Sequence, residues 1–99
     1  MGLRFSRRAE DDLFDIGVHT LRNWGEKQAD RYLTELEECC GRLANEPALG
    51  RACDHICRGL RRMECGSHVV FYRLEKKGIL ISRILHQRML PNLHSIDED

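Results

Sequence analysis

The feature that most constrains what this chain can fold into is how little lies between two helical patterns. Ala9, Leu13, Ile16, Thr20 and Trp24 recur at steps of three or four residues, and Ala29, Leu33, Leu36, Cys40 and Leu43 do the same further on. That is the period of an amphipathic helix. Only a residue or two around Gly25 separates the patterns. So short a connection leaves no path but a fold-back, so the pair reads as an antiparallel hairpin presenting both apolar faces to one layer. Ser6 is placed to cap the first helix, Glu10, Asp11 and Asp12 suit its first turn, and Gly25 ends it. The second carries Glu35, Glu37, Glu38 and Arg42 on its other faces and stops at Pro47 and Gly50.

Two apolar helix faces need a cover, and the second half of the chain supplies one. Leu60 to Cys65, His68 to Leu74 and Ile79 to Leu85 are rich in Val, Ile, Phe and Tyr and read as strands, with Gly66-Ser67 and Lys76-Lys77-Gly78 as turns. Leu3 to Ser6 alternates apolar and polar, the mark of a short half-buried strand. The expected fold is therefore α+β: an N-terminal strand, then an antiparallel helical hairpin packed on a C-terminal three-stranded antiparallel meander. Val69-Val70-Phe71 and Ile79-Leu80-Ile81 are apolar without alternation, as in central strands covered at least partly on both faces. One hairpin covers one sheet face fully, which leaves the other open to a partner. At 99 residues there is room for a single domain, 1–99, with the stretch from about 91 to 99 expected to be loosely held.

A composition 41% hydrophobic and 32% charged is that of a folded protein and excludes the disordered class. No apolar run reaches the ~18 residues of a membrane helix, and Met1 to Ser6 has no secretory signal. The expected location is the cytoplasm, with no membrane partner. Five cysteines, an odd count without an export signal, read as reduced thiols, so no structural disulfide is expected. The net charge of zero hides an asymmetry: residues 1–50 hold 7 Lys/Arg against 10 Asp/Glu, residues 51–99 hold 9 against 6. The second half is thus the basic one, fit to attract an acidic partner.

Cys53, His55 and Cys57 are residue types that bind zinc, but their spacing is not that of a zinc knuckle and no second knuckle follows, so no metal is expected. Cys40 falls on the apolar helix face as a small core residue, while Cys39 and Cys65 carry no clear instruction. The glycines do not form a phosphate-binding loop, and no cofactor is indicated. The candidate functional surface is cationic: Arg61, Arg62, Arg83, His86 and Arg88 lie on or beside the strands. The competing reading is that strand arginines simply lay their stems over neighbours on a solvated face. His68, at a strand start, reads as structural.

The order of elements, together with Trp24-Gly25, Gly50-Arg51, Gly59-Leu60-Arg61, the run Ser67 to Arg73 and the run Ile84 to Met89, resembles the ParE branch of the ParE/RelE toxin superfamily over essentially the whole chain. Leu90 and Pro91 depart from it, where many relatives carry an acidic residue, as does His19 in place of a commoner aromatic. The resemblance implies a toxin of a type II toxin–antitoxin pair that inhibits DNA gyrase by protein binding. It implies neutralisation by a ParD-like antitoxin in a hetero-oligomer, with DNA reached only indirectly through the antitoxin. Target contacts are then expected at Arg61, Arg83, His86, Arg88 and Met89, and antitoxin contacts at Leu21, Tyr32, Leu60 and Met63. The alternative is a ribosome-dependent mRNA endonuclease of RelE type, using His86 with Arg61 and Arg83 and with Glu64 as a base. General acid–base work on one phosphate needs two proton-transfer groups placed on opposite sides of it, and the sequence offers one well-positioned histidine with nothing that places Glu64 opposite it, so a non-catalytic inhibitor is the expectation.

Overall fold

The computed structural model describes residues 2–88. Its elements run β1 (Gly2–Phe5), α1 (Arg7–Trp24), α2 (Glu26–Asn45), a single 3-10 turn (Pro47–Leu49), β2 (Arg51–Ala52), β3 (Leu60–Cys65), β4 (His68–Glu75) and β5 (Gly78–His86). α1 starts where Ser6 is extended and buried: its Oγ accepts from the Ala9 N–H at 3.0 Å and donates to the Ser82 carbonyl at 2.8 Å. One side chain thus caps the helix and ties its start to β5. Gly25 serves both helices at φ +90°, since its N–H closes α1 on the Leu21 carbonyl and its own carbonyl accepts from Ala29. The connection is a single residue, and the fold-back hairpin is as expected.

The meander is larger than its sequence signal. The sheet has five strands in the order β1-β5-β4-β3-β2, with β1 parallel to β5 and the other pairs antiparallel. The expected three-stranded meander is therefore the centre of a mixed sheet, with a strand added on each edge. Alternation announces that Leu3 to Ser6 is extended but not which neighbour it takes. The parallel pairing brings Gly2 against Gly78, and a Cβ on Gly78 would lie 1.8 Å from the Gly2 carbonyl oxygen. β2 spans two residues, too few for any period to show.

On the helix side of the sheet Ala9, Ile16, Leu36, Cys40 and Leu43 pack with Val70, Tyr72, Ile79, Ile81 and Ile84. The other face is not bare. Cys53, Leu60, Val69 and Phe71 form a second buried cluster, with Ile56, Cys57 and Leu85 against it. The segment 53–59 thus supplies part of the second cover, which is why the β4 core reads as continuously apolar.

Two sequence expectations fail here. Trp24 ends the helical stripe by spacing yet is 71% exposed, the buried stripe stopping at Thr20. Cys39 and Cys65, expected as free thiols, form a disulfide. Cysteine count and inferred compartment carry no geometry, whereas packing α2 over the end of β3 brings two cysteines 26 residues apart to a Cα separation of 6.5 Å, within disulfide reach. Cys40, as expected, is core, and burial, helped by the Glu37 charge, pushes its thiol up to about 12. No helix among the described residues is long and apolar enough to cross a membrane.

Candidate functional site

The strand register assembles one polar cluster that spacing could not show. His68 opens β4 opposite His86 at the end of β5, and the two rings meet edge-on with centroids 5.2 Å apart. Tyr32, from α2, brings its hydroxyl within 2.5 Å of His68 Nδ1 and accepts the Ser67 N–H at 3.1 Å. Where the Tyr32 O–H donates to Nδ1, the proton of the neutral His68 ring sits on Nε2. His86 Nδ1 accepts the Arg88 N–H at 3.1 Å. Burial, then the charge of His86, brings His68 down to about 4 against the opposing pull of Asp12. Burial likewise pushes the Tyr32 phenol up. At neutral pH the pair is an uncharged phenol bonded to an uncharged imidazole. His19, Trp24 and Gln28 line the same cleft, of about 450 Å³.

The cationic residues do not converge on this cluster. Arg83 makes a bidentate pair with Asp12 of α1, Nε to Oδ2 at 2.8 Å and Nη2 to Oδ1 at 3.0 Å, and the same carboxylate takes the Ile84 N–H. Arg61 donates to the Gly50 carbonyl, and its Nε is buried without a hydrogen-bond partner among the described residues. Arg62 lies over the Phe71 ring and donates to Glu64, which also takes Arg51. Desolvation pushes Glu64 up, but the Arg62 hydrogen bond and the Arg51 and Arg62 charges outweigh it and hold the carboxyl below its usual range. Arg73 reaches the Arg58 carbonyl and the Cys57 sulfur. Arg88 is exposed, and Met89 lies outside the described residues. The expected cationic surface is thus drawn largely into internal bonds, because arginine stems on a two-residue strand period find carbonyls and carboxylates of adjoining elements.

The four residues expected against an antitoxin also separate. Leu21 is half exposed on the outer side of the hairpin, in a groove of about 430 Å³ between α1 and α2. Tyr32 belongs to the histidine cleft, and Met63 packs partly buried against the helix-side core. Leu60 is wholly buried in the second cluster, so it offers no exposed surface. The residues that accompany Leu21 are Phe14, 71% exposed, and Val18, with Glu26 and Asp30 on the wall from α2. Phe14, Val18 and Leu21 sit at i, i+4 and i+7, so a second stripe along α1 was open to reading and was masked by the stronger buried one. Cys53 is buried, His55 exposed and Cys57 between, and no group of three metal-ligating side chains occurs among the described residues.

Residues 3–91 match the family described as ParE toxin of type II toxin-antitoxin system, parDE. The chain is 44% identical over 85 residues to Toxin ParE1 of Mycobacterium tuberculosis, which covers 85% of this chain and 87% of that protein. It is 41% identical over 91 residues to Toxin ParE1 of Caulobacter vibrioides, covering 92% and 94%. The fold superposes on a chain of the chromosomal ParDE TA system from P. aeruginosa with a TM-score of 0.76 at 24% identity, over 87% of this chain and 95% of that one.

Proposed function

Since this chain belongs to the ParE toxin family of type II toxin–antitoxin systems, we propose that it is a toxin that inhibits DNA gyrase by binding, without catalysing a reaction, in the cytoplasm where gyrase works. The observation that carries the non-catalytic reading is the scatter of the candidate catalytic groups. His86 pairs across the sheet with His68, and His68 with Cys65, whereas Arg61 pairs with Tyr72, four residues earlier on β3. At ~3.3 Å per strand residue the two rows are on the order of 13 Å apart, and the Arg61 guanidinium is turned to the Gly50 carbonyl. Arg83 is held by Asp12 and Glu64 by arginines, so neither is available as phosphate clamp or base. The surface left for a target is the end of β5 around His86 and Arg88.

A ParD-like antitoxin neutralises the toxin in this reading, and DNA is reached only through it. Its docking place is the hairpin groove, where Phe14, Val18 and Leu21 offer anchors at the spacing an amphipathic helix presents in return. Glu26 and Asp30 on the α2 wall favour Lys or Arg on the flank of that helix.

Purified protein added to gyrase and supercoiled plasmid is expected to accumulate linear DNA. Unchanged supercoiling with no linear product would sink the gyrase reading, and new message cuts in ribosome-bound mRNA, mapped by primer extension, would establish the endonuclease instead.

A further inference from the structure

The Cys39–Cys65 bond occupies an unusual position for a staple. It does not close a loop at the surface but joins the C-terminal half of α2 to the last residue of β3, where the chain turns into β4. A groove of about 280 Å³ runs between α2 and that turn. Cys39 and Cys65 both line it, with Tyr32, Glu38 and Arg42 on its walls. Of the two sulfur-bearing residues Cys65 is the more accessible, 7% against 1% for Cys39. The same turn has a second tie to α2, since Tyr32 accepts the Ser67 N–H and its hydroxyl lies 3.5 Å from the Cys65 carbonyl. Breaking the sulfur bond therefore leaves the turn attached, which lets the bond open and close without unfolding the domain.

We propose that Cys39 and Cys65 form a reversible thiol–disulfide exchange site, addressed through this groove by low-molecular-weight thiols and disulfides, whose oxidation state sets how firmly the β3–β4 turn is held to α2. In the reducing direction a small thiolate attacks the Cys65 sulfur, the Cys39–Cys65 bond breaks, and Cys39 leaves as a thiolate that takes a proton from solvent. A second small thiolate attacks the small-molecule sulfur of the mixed disulfide on Cys65, forming the small disulfide and releasing the Cys65 thiolate, which is protonated in turn. The balance is one protein disulfide and two thiols giving one protein dithiol and one small disulfide. Oxidation runs the same steps backwards. Cys40, Cys53 and Cys57 stand apart from the exchange because none of them lines the groove. The turn leads directly into His68, and through it to the contact with His86 at the end of β5, so the bond acts on the cluster described above.

The test uses the full chain equilibrated in buffers of reduced and oxidised glutathione, quenched by alkylation in denaturant, and read by intact mass and peptide mapping. The expected result is the loss of two of the five thiols on oxidation, mapped to a Cys39–Cys65 peptide pair and regained in excess reduced glutathione. The oxidised protein is expected to melt about 10 °C or more above the reduced form, from the entropy the cross-link removes from the unfolded chain. Amide exchange at residues 65–68 should slow with it. Cys39→Ala/Cys65→Ala should melt at one temperature in both buffers; if that variant does not fold, the mapping and the two wild-type melts decide alone. Five alkylated thiols in every buffer, a linked pair other than 39 and 65, or coincident melts of the two wild-type states would overturn the proposal.

Discussion

At the scale of single residues, the sharpest constraint is the pairing of Tyr72 with Gly50. Tyr72 is wholly buried, and its hydroxyl donates to the Pro47 carbonyl at 2.5 Å and accepts the Gly50 N–H at 3.0 Å. A Cβ on residue 50 would sit 2.3 Å from that hydroxyl, so the glycine is required for space and not for φ. Tyr72→Phe strands two backbone groups and is expected to cost about 1–3 kcal/mol, with Gly50→Ala at least as costly, both read by urea unfolding. His68 gives a pH dependence. Its folded pKa of about 4 lies below the ordinary 6.5, so between those values the unfolded chain binds the extra proton. Its contribution is whole above pH 6.5 and is lost as pH falls toward 4. His68 is only partly buried, so solvent screening limits the loss to about 1–2 kcal/mol. His68→Gln should flatten the fall in melting temperature across that window; parallel curves for the two proteins would refute the assignment.

At the scale of elements, α1 has two working faces. Its inner face and its cap hold the fold: Ser6→Ala removes both the cap and the bond to Ser82 and is expected to lower stability by about 1–3 kcal/mol in the same unfolding measurement. Its outer face holds little. Phe14 and Leu21 are exposed, so Phe14→Asp and Leu21→Glu should leave stability within about 0.5 kcal/mol. The same two changes are expected to weaken antitoxin binding tenfold or more, a loss calorimetry would register and unaltered affinity would exclude. Glu26 and Asp30 lie on the facing wall, so the wild-type interaction should weaken with salt.

At the scale of the whole molecule, the domain is held by two clusters on opposite sheet faces and by cross-links between layers. Asp12 is one of the polar links, joining α1 to β5 through Arg83 and the Ile84 N–H, with both side chains mostly buried. Asp12→Ala leaves a guanidinium and a backbone N–H without their acceptor, and a loss of about 2–4 kcal/mol is expected on denaturant titration.

Local chemistry alone settled which segments are helical, where they start and stop, and that they fold back. Ser6, Gly25 and Pro47 act on the next few residues, so their effect is written in their neighbours. The three long strands and Cys40 in the core were legible for the same reason, since a period along one element needs no knowledge of the others. What the tertiary structure decided is every relation between elements. It set β1 beside β5, the 53–59 segment over Leu60, Cys39 against Cys65, and His68 between Tyr32 and His86. It also bound Arg61 and Arg83 internally, where spacing had offered them to a target. Such contacts depend on register and layer packing, which bring together residues tens of positions apart, and no periodicity within a segment encodes the identity of a partner on another.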